Sequence, residues 1–350
     1  MRMMFVHHVI EDRGSAQDMS CYIRAAEALG HEVVLFGPER PQSLFRYSPN
    51  IGSVDALIFI FEWTTDLQYG DRFDYSRLIA KVPRRHRVVI DCDGKYNQAI
   101  SVVGDYNHPD EATSQQWIDV CDSISDKIYQ PSFHPLKSNV RPFLFHAYDP
   151  RWEVPLDFSA KNYGMYYVGN NWFRWRPLTL FLQAVEPIRD QVGRIGLVGN
   201  GWDAPAPWTS PTLIEEAYYT DPSYLHGLNV EIMPPVRFDR VIESMSQGIL
   251  SPVLLRPLFD HLGLVTCRTF ETPAANTIPL FAQHPAYVEE VYGHDSAELV
   301  LPSERPSERI LELLLRPDQY AATVMDIRRH LAEKHSYAKR IQELIEIIES

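Results

Sequence analysis

No apolar run in the 350-residue sequence approaches the roughly 20 residues that cross a bilayer. The opening segment, MRMMFVHHVIEDRG, has too short an apolar stretch for a signal peptide and no small-residue cleavage site. Positive charge is in short supply: 33 Lys and Arg face 46 Asp and Glu, a formal net charge of −13. That balance disfavours wholesale wrapping of nucleic acid or of an anionic membrane and leaves room only for a local basic cleft. The four cysteines, Cys21, Cys92, Cys121 and Cys267, are far apart with no CxxC pair, so reduced thiols in a cytoplasmic protein are expected. The 13 histidines include no HExxH or other tight ligand spacing, and no metal centre is expected. Short repeats and low-complexity tracts are absent. What remains, 45% apolar and 23% charged residues, is ordinary globular composition, with enough chain for two domains.

Apolar runs at 3–10 (MMFVHHVI), 31–37 (HEVVLFG), 56–63 (ALIFIFEW) and 87–94 (RVVIDCDG) read as buried strands. Helical patterns lie between them at 18–29, 75–81 and 110–122. This alternation predicts a parallel, Rossmann-like sheet over residues 1–150. A polar, proline-containing stretch at about 151–162 reads as a linker. The pattern restarts over 163–350, with strands at 164–170 (GMYYVGN) and 194–202 (RIGLVGNGW), a helix at 177–192 and a long closing helix at 320–348. The fold class is α/β: two Rossmann-like domains facing each other across a cleft, with ligands beyond the carboxyl ends of the strands.

The most informative stretch is 264–283, LVTCRTFETPAANTIPLFAQ. Arg268 beside a helix start suits a diphosphate, because a guanidinium fork and free helix N–H groups both favour phosphate oxygens. Glu271, one turn on, is placed to accept the hydroxyls of a ribose. The sequence here resembles nucleotide-sugar glycosyltransferases of the GT-B fold, and within them the CgeB-like group (glycosyltransferase group 1). That group carries R-x-F-E, then small residues, a strand and a late H-S-Y…R, matched here by His335-Ser336-Tyr337 and Arg340. A more distant likeness, through a similar R-x-W-E stretch, is to phage DNA β-glucosyltransferases. The resemblance implies a metal-independent enzyme without cofactor that takes a nucleotide-diphosphate sugar as donor. The acceptor is then a small molecule or glycan, with a modified DNA base as the less favoured alternative. A nucleotide-sugar epimerase or a non-catalytic nucleotide-sugar-binding or spore-surface assembly protein on the same fold are the other readings.

In the families resembled, a basic residue after the first strand of the donor domain holds the diphosphate, a role open here to Arg174 or Arg176 in VGNNWFRWRP. Arg256 is a further cation candidate. Gly169 and Gly199, ending strands, would let backbone approach a ligand. Many retaining relatives carry a glutamate eight positions before Glu271, where this chain has Gly263, so an inverting reaction with a base from the N-terminal domain is expected. Asp93 in VVIDCDGKYN best fits the aspartate that follows a strand in the phage enzymes, with Asp91 as its alternative. The two form a D-x-D pair that could instead hold a divalent cation. His8 and Gly14, after the first strand, are the acceptor-side candidates.

Overall fold

The computed structural model describes residues 1–7, 14–43, 45–62, 79–100, 111–204 and 217–350. His8 and most of the helix expected at 75–81 lie outside the described residues. Seven parallel strands form the first sheet: β1 (Arg2–Val6), β2 (Glu32–Phe36), β3 (Tyr47–Ser48), β4 (Ala56–Phe61), β5 (Arg87–Asp91), β6 (Ile128–Gln130) and β7 (Val140–Pro142). Their order is β3-β2-β1-β4-β5-β6-β7, so the direction of winding reverses between β1 and β4. The second sheet holds β8 (Tyr163–Val168), β9 (Ile195–Val198), β10 (Val230–Met233), β11 (Gly248–Val253) and β12 (Ile278–Phe281). It too is parallel, in the order β10-β9-β8-β11-β12, and reverses between β8 and β11. Both are two-sided sheets, which is why their strands are apolar almost throughout.

Strand alternation divides the first sheet cleanly. Met3, Phe5, Ile58, Ile60, Val88 and Ile90 face one side. Met4, Val6, Leu57, Phe59 and Val89 face the other, toward Trp117, Ile118 and Cys121 of helix α2 (Glu111–Ile124). The first side is covered by helix α1 (Gly14–Ala28) and by the end of the chain.

The expected single helix at 320–348 is two helices. Helix α6 (Ala321–Lys334) buries Val324, Ile327 and Leu331 in the second domain, and α7 (Tyr337–Glu349) buries Tyr337, Ile341, Leu344 and Ile348 against the first. The break lies at His335 and Ser336. Ser336 is extended (φ −78°, ψ 155°) and its side chain caps α7 by accepting from the Lys339 N–H. The His335 carbonyl is taken by the Tyr148 N–H at 2.8 Å. Heptad-like spacing is continuous through this segment, but the stripe serves two different cores. The helix expected at 177–192 likewise begins earlier and stops at Val185, giving α3 (Trp175–Val185), because Pro187 follows within the next turn.

Two more helices shape the interface: α4 (Pro257–His261) and α5 (Cys267–Ala274). Thr266 and Thr269 form a reciprocal cap at the start of α5. Its far end, which contains Pro273, is held by Arg328 of α6. That buried guanidinium donates to the carbonyls of Pro273 (2.7 Å), Val154 (3.0 Å), Ala274 (3.2 Å) and Ala275 (2.9 Å). Arg328→Met keeps the apolar stem but leaves buried acceptors unpaired, and should cost about 3 kcal/mol in urea unfolding. A midpoint equal to that of the wild type would show that the carbonyls find other partners.

Candidate active site at the domain interface

Each carboxyl edge presents its polar residues where the winding reverses, the place where open α/β sheets bind ligands. In the second domain this edge is cationic. Arg174 caps α3 and donates to the Trp172 carbonyl at 3.0 Å. Burial lowers its pKa to about 10; Tyr167 opposes the fall, and Arg256 and Arg268 deepen it. Three guanidinium groups from three segments therefore share one neighbourhood. Arg176 is exposed and stands apart from them. Arg256, at the start of α4, lies over the Phe259 ring at 3.6 Å and pairs with Asp93 of the other domain at 3.6 Å.

Arg268 is in the first turn of α5, and its Nη1 donates to Glu271 Oε2 at 2.7 Å. Burial opposes the Arg268 charge, but Glu271 more than offsets it and holds the guanidinium firmly ionised. Burial holds the Glu271 carboxyl above its ordinary range against the pull of Arg268. Gly169 and Gly199 end β8 and β9. Gly199 has φ +140°, and a Cβ there would lie 2.3 Å from the Gly169 carbonyl, so this pair is required for the close approach of the two strand ends.

From the first domain comes the loop after β5. Asp91 is fully buried and faces away from the cleft. Its oxygens accept from Lys95 N (2.9 Å), Tyr96 N (2.7 Å) and Gln130 Nε2 (2.8 Å), so it shapes the loop that carries Asp93. Burial raises its carboxyl despite these three donors. Asp93 is partly exposed and points at Arg256. The next residue, Gly94, has φ +69°, and a Cβ there would come within 2.4 Å of Leu262, so the loop is seated directly on the second domain. Gly14 is the first residue of α1.

A second polar group fills the same interface and was only partly legible in the sequence. His7 follows β1, Glu62 follows β4, and Cys92 follows β5, all on the side that α1 covers. His7 Nε2 lies 3.4 Å from Glu62 Oε2, and His146 Nε2 lies 3.8 Å from Glu62 Oε1. His146 Nδ1 is 3.2 Å from Asp18 Oδ1, which also accepts from the Tyr337 hydroxyl at 2.6 Å. Asp18, Tyr337, Cys267 and Glu271 line one narrow crevice between the domains. The signal available in the sequence is a polar residue two positions after the last apolar one on the same strand face: Phe5 to His7, Ile60 to Glu62, Ile90 to Cys92. The H-S-Y…R stretch becomes a joint here: Tyr337 reaches Asp18, and His335 Nδ1 meets Arg340 Nη2 at 2.7 Å. Among the described residues no group of three or more His, Cys, Asp or Glu has the arrangement of a metal site, and no helix is long and apolar enough to cross a membrane. The four cysteines are unpaired.

Removing Arg268 leaves the Glu271 carboxylate buried without its cation. Arg268→Ala should lose about 2 kcal/mol in urea unfolding, whereas Arg176→Ala should stay within about 0.5 kcal/mol of wild type. Equal effects would mean that the Arg268–Glu271 pair is not set apart by burial.

Comparison with known proteins places this geometry. The family model described as glycosyl transferase-like matches residues 176–346. An α-glucosyltransferase solved with UDP-glucose and DNA containing an abasic site superimposes with a TM-score of 0.70 at 15% identity, covering 100% of this chain and 99% of that one. The T4 phage β-glucosyltransferase superimposes with a TM-score of 0.54 at 12% identity, covering 99% of each chain. A DNA-modifying β-glucosyltransferase studied with and without uridine diphosphoglucose gives 0.56 at 13% identity, again over 99% of each chain. No curated protein matches the sequence. Two doubly wound domains meeting at their carboxyl edges are the GT-B architecture, and residues 176–346 of this chain carry a glycosyl transferase-like domain.

Proposed function

We propose that the enzyme transfers a sugar from a nucleoside-diphosphate sugar to an acceptor hydroxyl, with inversion and without a divalent metal. The observation that carries this reading is the convergence of Arg174, Arg256 and Arg268 on one spot opposite Asp93. Three guanidinium groups supply the charge that a departing diphosphate needs. Glu271 orients Arg268 and is the ribose-side carboxylate. Arg176, exposed on the outer face of α3, has no part in it.

In this mechanism Asp93 takes the proton of the acceptor hydroxyl as that oxygen bonds to the anomeric carbon. The bond from that carbon to the diphosphate breaks, and its electron pair leaves on the diphosphate, which the arginines stabilise. A donor diphosphate competes with Asp93 for Arg256. Donor binding thus loosens the ion pair and lets the carboxylate turn to the acceptor hydroxyl, which favours donor before acceptor. Asp91 acts at one remove, by fixing the loop. The net charge of −13 supports a small molecule or glycan as acceptor over a modified DNA base.

The neighbours with UDP make UDP the first probe, followed by GDP, dTDP and CMP. Calorimetry should find one nucleoside diphosphate bound, and Arg174→Ala or Arg268→Ala should weaken it roughly tenfold to a hundredfold. Asp93→Asn should bind it unchanged while turnover falls by about 10² to 10⁴. Turnover should survive EDTA, and NMR should find the product anomer inverted. A retained anomer would remove Asp93 as base, and activity restored only by manganese would make Asp91 and Asp93 metal ligands.

A further inference from the structure

The buried group at the winding reversal of the first sheet has a property that packing does not explain. Both ring nitrogens of His7 and Oε2 of Glu62 are buried without a hydrogen-bond partner among the described residues. His7 is 8% exposed, and the 3.4 Å between it and Glu62 is longer than a hydrogen bond. Buried donors and acceptors are otherwise almost always paired, so an orphaned pair of this kind points to a missing partner. The pair stands just past the ends of β1 and β4, the two strands between which the sheet reverses.

Its surroundings hold the pair in place. The Phe145 ring meets the His7 ring edge-on at 5.9 Å and the His146 ring at 5.2 Å. His146 lies between Glu62 and Asp18. Burial works against its charge, but Asp18, Glu62 and Glu271 together push its pKa up to about 9, so it is an imidazolium at neutral pH. On the other flank stands Cys92, whose amide donates to the Phe61 carbonyl at 2.9 Å. Burial raises that thiol, and both Glu62 and Asp93 add to the rise, which puts the orphaned pair beside the loop of the proposed base.

We propose that His7 and Glu62 form the acceptor-hydroxyl site of the transferase and that it selects an uncharged alcohol. This rests on the transferase reading above and specifies its acceptor side. A hydroxyl has one donor and two acceptor positions. It can donate to Glu62 Oε2 and accept from a ring N–H of His7, satisfying both orphans at once. The carboxylates of Glu62, Asp18 and Glu271 outnumber the two cations set among them, His146 and Arg268, so a phosphate or carboxylate next to the reacting hydroxyl meets net like charge there. His7 and Glu62 hold and orient the alcohol before reaction; as its oxygen attacks, the hydroxyl's one hydrogen bond passes from Glu62 to Asp93, which takes the proton.

The test uses the full-length enzyme. With UDP bound, glycerol is titrated into protein carrying ¹⁵N-labelled histidine. The His7 ring signals should move with saturation, while glycerol 3-phosphate and glycerate leave them in place. UDP release from UDP-glucose, or from whichever nucleotide sugar is turned over, should be accelerated by glycerol or a methyl hexoside. Glu62→Gln and His7→Asn should raise the KM for the alcohol by about tenfold to a hundredfold, with UDP affinity unchanged. Unmoved His7 signals would mean that the site holds structural water only, and the proposal falls. Preference for the anionic alcohols, or unchanged alcohol KM in both variants, would overturn it as well. If the buried His7→Asn variant fails to fold, Glu62→Gln and the wild-type titration still decide. Absence of nucleotide binding in the wild type refutes the donor reading, and the glycerol titration without UDP then judges the His7–Glu62 site by itself.

Discussion

The ion pair between Asp93 and Arg256 ties the loop after β5 of the first domain to the start of α4 in the second. Burying a charge is costly unless a partner is close, and here a partner of each charge belongs to the other domain. The same constraint recurs along the interface. Tyr337 of the last helix donates to Asp18 of the first, and Glu271 and His146 feel each other across the crevice. Gly94 is forced by contact with Leu262, because only a residue without Cβ lets the Asp93 loop sit this close. The domains meet through chemistry that a ligand can contest, and this distinguishes the interface from the apolar cores on either side of it.

Much of the architecture was legible because parallel strands buried on both faces leave continuous apolar runs, as at β1, β4 and β5. Positions were less legible than types. The break at His335 and Ser336 was hidden because a helical period reports that a face is buried and not which core buries it. Arg174 and Arg176 are equivalent in sequence, two apart in one loop, and only the turn into α3 sends one inward and the other to solvent. Sequence preferred Asp93 to Asp91 only slightly; strand alternation places Asp91 on the α2 side, with its oxygens taken by Lys95, Tyr96 and Gln130. His7, Glu62 and Asp18 come from segments far apart in the chain. No local pattern could bring them together, although the strand order could.

Two sheets with the same winding reversal thus confront each other with unlike chemistry. The edge of the second sheet carries arginines and the close-packed glycines Gly169 and Gly199. The edge of the first carries carboxylates and histidines. A donor that leaves as an anion and an acceptor that attacks as a hydroxyl need this division, and a single Rossmann-like domain offers one edge only.

The chain crosses between the domains twice, once after Phe145 and once at His335, and the crossings run side by side, joined by the Tyr148 amide and the His335 carbonyl and by the bridge of Tyr148 to Ser336. Lys127 then clasps the far end of α7 through the Ile347 and Ile348 carbonyls. Mechanically, two adjacent connectors act as a door hinge: they resist twisting about their own length and leave one soft direction of rotation. Any opening of the domains would turn about this line, so that Asp93 and Arg256, on opposite leaves, would separate and return in the same register.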